Sequence, residues 1–560
     1  MKTTKYIIVA VVGALLTLTS CVNDLESYPL NEQDKVSEAA YDNTEESYLK
    51  GLAKLYNTMS SHSVSYVTVK DEGASQVARA FFACQEITTD ACKIAWGNDP
   101  WCRAMNNNTW TDEENDAVFG MFFRSIQAIS YCNEFLRQTT DAKLTERGAN
   151  SDVKAKVHQF RAEARVIRAW YYWMAIDVFG DVPFTTEKDA VGTEAPAQKP
   201  RADIYKYIVA ELEELAADGS DLPVAQANYP RVDKGTALGL LSRLYLNAET
   251  YKGAPEWEKC KQTCERIFGL GYKLAPTYAE LFRGDNGENP DARGEFLMTI
   301  PFDTYSIQSY GGTTFLTCAA ISELDIHEEG PLTGGKSGWG GIHVSGEFVD
   351  KFFNITDANF ETGEYTCADE RGKMFYIKGR LGNGKIPSDG ELYNYLYGWS
   401  YFKFNNIPHD QTKETYSPLN AFSSIDLPII RLGEVYLTYA EACVRMGEGF
   451  TAQSKMDELA VRTGVSAITL PAQWDDAARD MFVAERAREL LWESCRRTDL
   501  IRYGLYYSNE YLWPFKGGKT VEGQPFPEYM VIFPMPSEMI VNNPDMLNLK
   551  AYYDALKSER

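Results

Sequence analysis

One apolar stripe near the middle of the sequence constrains the fold more than any other feature. Its members advance by three or four positions: Val157, Phe160, Ala164, Ile167, Tyr171, Met174 and Val178. This spacing places them on one face of an α-helix about six turns long, and other elements must cover that face. The stripe ends at Gly180–Pro183, where glycine and proline stop a helix.

Shorter stripes with the same periodicity recur on both sides of the long one. They cover Ile204–Leu215, Ala237–Ala248, Trp257–Phe268, Leu432–Val444, Met456–Arg462 and Phe482–Ile501. Paired amphipathic helices with Ala and Tyr at the positions of close approach are typical of stacked tetratricopeptide-like helix pairs, although the usual period of about 34 residues is not kept. The sequence therefore predicts a mainly α fold.

The stretch from about 275 to 425 has a different composition. It is rich in Gly, Pro, Asn, Asp and Tyr, and its apolar runs are as short as Phe296–Ile300. This pattern predicts irregular loops with a few short strands, carried on a helical scaffold where binding sites are usually built. We expect a helical region at 45–274 with a binding loop near 79–110, a loop-rich insertion at 275–425, and a second helical region at 426–560.

Charge and aromatic content narrow the class of partner. The 560 residues include 56 Lys and Arg against 79 Asp and Glu, a net charge of −23, so the chain repels phosphate backbones and nucleic acid is excluded as a partner. The 34 Tyr, 27 Phe and 11 Trp outnumber the 5 His. This balance favours recognition by aromatic surfaces over imidazole chemistry.

The N-terminus resembles a bacterial lipoprotein leader. Two lysines precede an apolar run from Ile7 to Leu18, which is shorter than the roughly 20 residues that span a bilayer. Leu18-Thr19-Ser20-Cys21 follows and is similar to a lipobox, after which the cysteine is lipidated. We expect a signal peptide at 1–20, lipidation of Cys21 and a polar tether at 21–44, with plain secretion as the alternative.

Catalytic motifs are weak in this sequence. Residues 330–337 match the phosphate-loop pattern, but Gly338-Trp339-Gly340-Gly341 follows where that motif requires a helix. Metalloprotease and serine-hydrolase motifs are absent, and carboxylates are too common for a glycosidase pair to be recognised. The charged residues between Glu485 and Asp499, and Glu163 with Arg165 and Arg168, indicate structural ion pairs.

The 11 cysteines show no zinc-ligand spacing. Cys260, Cys264 and Cys443 lie at helical spacing and are expected to be small buried apolar residues. A bridge between Cys92 and Cys102 is one geometric option.

Several segments together resemble the SusD/RagB family of nutrient-binding lipoproteins of Bacteroidetes. They are Cys21–Glu26, Phe160–Phe184, Arg201–Tyr205, Pro428–Leu437, Glu485–Leu490, Arg497–Leu500 and Phe533–Pro536. Within the family, the starch-binding member is the most similar, notably at Gln85–Asp90, Ile94–Gly97 and Thr140–Gly148.

The resemblance implies a binding protein without catalytic activity or cofactor. It implies a lipid-anchored protein on the outer face of the outer membrane that holds a glycan over a SusC-like TonB-dependent transporter. The family's aromatic starch-binding residues correspond to Trp96, Tyr310 and Trp339, with Arg79, Asn98 and Asp99 as hydrogen-bonding companions. A structural calcium ion near Asp285-Asn286-Gly287-Glu288 is a further option, because these side chains offer oxygen ligands.

The three aromatic residues share glycine neighbours. Gly97 follows Trp96, Gly311 follows Tyr310, and Gly338 and Gly340 flank Trp339. Glycine suits an exposed loop that a ligand approaches closely, whereas an isolated tryptophan is more often a core residue. We therefore expect the three rings to converge on one exposed face.

These observations favour capture of starch or malto-oligosaccharides and their delivery to the transporter. The alternatives are the same role for another neutral glycan or a peptide, a glycoside hydrolase, and a repeat scaffold that binds only protein.

The lipid anchor leads to a testable prediction. Replacing Cys21 with Ala removes the site of acylation, and the acidic body repels anionic lipid, so the folded variant should leave the membrane fraction. Fractionation of cells without the partner transporter measures this, and a Cys21→Ala protein that stays membrane-bound there would contradict the prediction.

Overall fold

The computed structural model describes residues 40–62, 71–111, 115–192, 196–330, 332–410, 421–542 and 554. The predicted signal peptide, Cys21 and most of the predicted tether lie outside the described residues. The first described helix begins at Glu45, and the side chain of Thr44 caps it by accepting a hydrogen bond from the Ser47 amide. No helix in the described part of the chain is long and apolar enough to cross a membrane.

Helices dominate the described residues, as the sequence predicts. A π-helical turn at Ala83–Ile87 directly follows the helix Val77–Phe82. The α-helices are α1 (Glu45–Ser60), α2 (Val77–Phe82), α3 (Pro100–Asn106), α4 (Asp116–Gln138), α5 (Asp141–Glu146), α6 (Ser151–Phe179), α7 (Arg201–Ala216), α8 (Lys234–Leu246), α9 (Ala248–Lys252), α10 (Trp257–Phe268), α11 (Pro290–Arg293), α12 (Gly312–Cys318), α13 (Glu323–Glu329), α14 (Gly346–Phe352), α15 (Leu432–Arg445), α16 (Gln453–Thr463), α17 (Asp476–Glu489), α18 (Arg496–Arg502) and α19 (Ser537–Asn542).

The strands are short and form two-stranded antiparallel sheets. The strands are β1 (Lys93–Ile94), β2 (Val182–Pro183), β3 (Gln198–Lys199), β4 (Phe296–Ile300), β5 (Ile342–His343), β6 (Ile355–Thr356), β7 (Thr366–Cys367), β8 (Phe375–Tyr376), β9 (Ser400–Tyr401) and β10 (Leu427–Arg431). The pairs are β1 with β5, β2 with β3, β4 with β10, β6 with β7, and β8 with β9. The pair of β4 and β10 is the longest, and it joins the two ends of the loop-rich stretch.

Helix α6 contains the long apolar stripe. The Asn150 side chain caps its first turn, and Gly180 ends it with a φ of 70°, a conformation that glycine adopts without a Cβ clash. From Val166 to Phe179 the helix is buried on every side rather than along one stripe. Helices α1, α4 and α7 pack around it, so α6 is the centre of the N-terminal helical region.

The predicted helix from Phe482 to Ile501 is wrong in one respect, because it is interrupted between α17 and α18. In the interruption Trp492 and Ser494 have positive φ values of 64° and 60°. The Trp492 indole N–H donates to the Ala91 carbonyl at 3.1 Å, and the Cys495 amide donates to the Glu86 carboxylate at 3.0 Å. These contacts with a distant segment stabilise a bend that helical periodicity alone cannot reveal.

Glu485 and Glu489 of α17 belong to a buried ion-pair cluster, which confirms the predicted ion pairing. Arg431 contacts Glu489 at 2.6 Å, Glu493 at 2.7 Å and Glu295 at 3.0 Å. Arg371 and Arg462 also pair with Glu489. Burial alone would raise the pKa of Glu489, but Arg462, Arg431 and Arg371 together lower that pKa far below its usual range.

Glu163, Arg165 and Arg168 also form structural ion pairs, although with partners other than one another. Glu163 pairs with Arg231, and Arg165 and Arg168 both pair with Glu211 on α7.

One continuous hydrophobic core includes residues from the two helical regions and from the loop-rich stretch. The predicted boundaries between these regions stay a prediction. The segment with the phosphate-loop pattern is followed by turns and by β5, and no helix follows it directly, so it lacks the structure that such a motif needs.

All ten described cysteines are free thiols and buried. The bridge considered between Cys92 and Cys102 is therefore wrong. The Cys92 thiol lies against the Lys93 carbonyl at 3.6 Å, whereas Cys102 lies on α3. Cys260, Cys264 and Cys443 are buried among apolar side chains, as expected.

The ion-pair cluster leads to a stability prediction. Replacing Arg431 with Met should lower the free energy of unfolding by about 3–5 kcal/mol, because three buried carboxylates lose a partner. Lys373→Met is the matched control, since Lys373 and its partner Glu370 are 50% and 49% exposed and a solvent-exposed ion pair contributes little to stability. Urea titration compares the two variants, and equal losses would contradict the prediction.

Candidate functional site

The pairing of β1 with β5 brings two distant tryptophans together. Lys93 lies opposite His343, Ile94 lies opposite Ile342, and the Ala95 amide donates to the Gly341 carbonyl at 2.7 Å. Trp96 and Trp339 are 243 positions apart in sequence, yet they leave this small sheet side by side. The indole N–H of Trp96 donates to the Trp339 carbonyl at 3.1 Å.

The backbone around Trp339 lies against the C-terminus of α12 and the residues that follow it. The Trp339 amide donates to the Cys318 carbonyl at 2.8 Å, and the Gly340 amide donates to the Ile321 carbonyl at 2.9 Å. A Cβ at Gly338 would lie only 2.2 Å from the Ser322 backbone. The glycine beside Trp339 is therefore required by close backbone packing.

Tyr310 lies directly before α12. The Gly312 amide donates to the Gln76 side-chain oxygen at 3.0 Å, and a Cβ at Gly311 would lie 2.3 Å from the Gln76 side chain. This close approach anchors the start of α12 on α2 and leaves Tyr310 39% exposed.

The rings of Trp96, Trp339 and Tyr310 form a continuous arc. The ring centroids of Trp96 and Trp339 are 6.5 Å apart at an interplanar angle of 42°, and those of Trp339 and Tyr310 are 6.4 Å apart at 52°. Both tryptophans are half-buried, so each ring is partly accessible. The geometry confirms that the rings converge, and their binding role stays a prediction. Because successive rings are tilted, the three rings do not lie in one plane.

Arg79 lies beneath this arc. Its guanidinium is 5.4 Å from the Trp96 ring and 4.4 Å from the Phe315 ring, and it pairs with Asp71. The residue is only 3% exposed, and burial lowers its pKa while Asp71 opposes that shift. Arg79 therefore packs against Trp96 and Phe315, and its role as a hydrogen-bonding companion of a ligand stays a prediction.

Asn98 and Asp99 lie on the tight turn that follows Trp96. The Asp99 amide donates to the Trp96 carbonyl at 3.1 Å, and the Arg103 guanidinium donates to the Gly97 carbonyl. Asn98 is exposed and Asp99 is half-buried. Asn98 thus lies on an exposed turn two residues after Trp96, and its role in binding a ligand, like that of Asp99, stays a prediction.

Two further rings contact Tyr310 that the sequence does not single out. The Phe422 ring centroid is 5.1 Å from that of Tyr310, and the His62 ring centroid is 5.5 Å away. Neither residue has a glycine neighbour or belongs to a motif. Only the tertiary structure brings them to the arc.

His343 is the histidine of β5, but it is not suited to proton transfer. Burial lowers its pKa to about 3, and the nearby charges of Arg380 and Lys93 add to this shift, so the imidazole is neutral near pH 7.

Metal coordination finds no support in the described part of the chain, where no group of three or more His, Cys, Asp or Glu side chains could hold an ion. At the suggested calcium position, the Asp285 carboxylate accepts hydrogen bonds from the His409 and Asp410 amides at 2.7 and 3.1 Å. The Asn286 side chain binds the backbone of Asp426 and Leu281. The side-chain oxygens of Asp285 and Asn286 thus accept hydrogen bonds from the backbone of other loop segments.

Comparison with known proteins decides the family. The model described as "SusD family" matches residues 294–553, and the model described as "Starch-binding associating with outer membrane" matches residues 42–246. The starch-binding protein SusD of Bacteroides thetaiotaomicron is 30% identical, and the alignment covers 98% of this chain and 100% of that protein. The chain belongs to the SusD family.

Solved structures confirm the fold of this SusD-family member as mainly α, with stacked tetratricopeptide-like helices. A SusD-like carbohydrate-binding protein from Bacteroides fragilis superposes with a TM-score of 0.66 at 17% identity, covering 90% of this chain and 99% of that chain. The surface glycan-binding protein A from B. thetaiotaomicron, solved with laminarihexaose, superposes with a TM-score of 0.64 at 17% identity and the same coverage.

Proposed function

We propose that the protein captures starch or malto-oligosaccharides at the outer face of the outer membrane and delivers them to a SusC-like TonB-dependent transporter. The observation that carries the proposal is the arc of Trp96, Trp339 and Tyr310, with centroid separations of 6.5 and 6.4 Å.

The chemistry of the arc suits a neutral sugar chain. Aromatic faces pack on the C–H faces of sugar rings and bury a large area at little entropic cost. Asn98 at the edge supplies a hydrogen-bonding group for hydroxyls. The charges of Arg79 and Asp71 beside the rings are paired with each other.

The tilt between the rings supports one class of glycan. Rings set at interplanar angles of 42° and 52° suit a sugar chain that turns, as an α-glucan does, better than a sugar chain shaped as a flat ribbon. The starch-binding relative, which aligns along its whole length, also favours starch. A β-linked glucan is the second candidate, because a structural neighbour was solved with laminarihexaose.

We propose no catalytic activity for this site. Its residues suit stacking, and the carboxylate beneath them, Asp71, is engaged with Arg79. Incubation of the purified protein with starch should release no reducing ends, and release above that of a Trp96→Ala control would favour the hydrolase alternative.

The arc predicts the effect of removing each ring. Trp96→Ala, Trp339→Ala and Tyr310→Ala should each weaken glucan binding by about 1–3 kcal/mol, because a stacking anchor is lost. Phe450→Ala is the control, since Phe450 is 81% exposed and lies at the start of the turn between α15 and α16. Affinity electrophoresis in amylopectin gels measures the change in retardation.

The same gels test the choice of glycan. Retardation of the wild type by amylopectin and pullulan, but not by laminarin, dextran or xylan, is the expected result. Retardation by laminarin alone would favour the second candidate. A Trp96→Ala variant that is folded and fully retarded would contradict the site.

The proposed complex with the transporter is tested by co-purification. We expect the lipoprotein and the TonB-dependent barrel encoded beside it to form a complex in mild detergent that buries well above about 2,000 Å², the large end of interface sizes. Separation of the two proteins on a sizing column, with both present and folded, would count against delivery through a stable complex.

A further inference from the structure

We propose that Phe422 is the fourth ring of the arc and that it sets the length of the glucan chain that the protein recognises. This inference rests on the proposed glycan-binding function and extends its site beyond Trp96, Trp339 and Tyr310.

The first argument is the order of the rings. The ring centroids of Phe422 and Tyr310 are 5.1 Å apart, and those of Tyr310 and Trp339 are 6.4 Å apart. The four rings therefore follow one another as Trp96, Trp339, Tyr310 and Phe422. The interplanar angle of 46° between Phe422 and Tyr310 is close to the 42° and 52° of the preceding pairs, so the platform lengthens with similar tilts between its rings.

The second argument is preorganisation. The Ser423 amide donates to the Thr314 hydroxyl at 3.1 Å, and the Thr313 hydroxyl donates to the Ile425 carbonyl at 2.9 Å. Both threonines belong to α12, which begins two residues after Tyr310. One helix thus positions both Phe422 and Tyr310, and little ordering cost remains for a ligand that covers them.

The third argument is the position of Phe422 relative to the core. Phe422 is half-buried, as are Trp96 and Trp339. In the described part of the chain, the two tryptophans pack against the hydrophobic core, whereas Phe422 does not. A phenyl ring in this position adds little to core packing. Its uncharged face beside Tyr310 suits the C–H face of one more sugar unit.

The consequence is a dependence on chain length. A short oligosaccharide can be bound by Trp96, Trp339 and Tyr310 alone, whereas a longer chain also reaches Phe422. Phe422→Ala and Phe422→Leu should therefore weaken maltoheptaose binding about 5- to 30-fold and change maltotriose binding by less than about twofold. Phe422→Tyr, which keeps the ring, should bind maltoheptaose like the wild type.

Isothermal titration with both sugars tests this, with Trp96→Ala and Phe450→Ala as controls and with thermal unfolding to establish that each variant is folded. If the wild type binds laminarihexaose rather than maltoheptaose, the comparison is made with laminarihexaose and laminaritriose. Equal losses for long and short chains, or no loss for Phe422→Ala and Phe422→Leu while Trp96→Ala is weakened, would overturn the role of Phe422 and leave the proposed function intact. A wild type that binds neither sugar series would overturn both.

Discussion

The buried ion-pair cluster around Arg431 and Glu489 is the constraint on which the rest of this structure depends. Arg431 ends β10, Glu295 directly precedes β4, and Glu489 ends α17. Arg371 brings the loop-rich stretch into the same cluster, and Arg462 brings α16. Because removing charges from water is costly, such a cluster is tolerated only when every partner is in place. We infer that it specifies which segments meet, while the hydrophobic core supplies most of the stabilisation.

The position of the aromatic arc follows from that arrangement. The pairing of β4 with β10 joins the ends of the loop-rich stretch, and the pairing of β1 with β5 attaches its middle to the N-terminal helical region. Trp96 and Trp339 emerge together from the second pairing. Helix α12 begins two residues after Tyr310, and its Thr314 accepts a hydrogen bond from the Ser423 amide beside Phe422, so backbone contacts hold the segments that carry both rings.

Much of this could be predicted from the sequence, because helical periodicity and glycine placement are local signals. The stripe from Val157 to Val178 is α6. Gly338 beside Trp339 and Gly311 beside Tyr310 lie where a Cβ would clash with Ser322 and Gln76, so the protein's own packing requires them, rather than a ligand as the sequence argument expects. The break between α17 and α18 could not be predicted, since contacts with Ala91 and Glu86 stabilise it. The burial of Arg79 and the contact of Phe422 with Tyr310 also depend on segments far apart in sequence, for which a single sequence carries no signal.

A crystal structure with maltoheptaose tests the central claim most directly. We expect consecutive glucose units with their C–H faces on Trp96, Trp339 and Tyr310, a hydroxyl within hydrogen-bond distance of Asn98, and Arg79 still beneath Trp96 in contact with Asp71. A sugar bound elsewhere on the protein, with the three rings uncovered, would contradict the account.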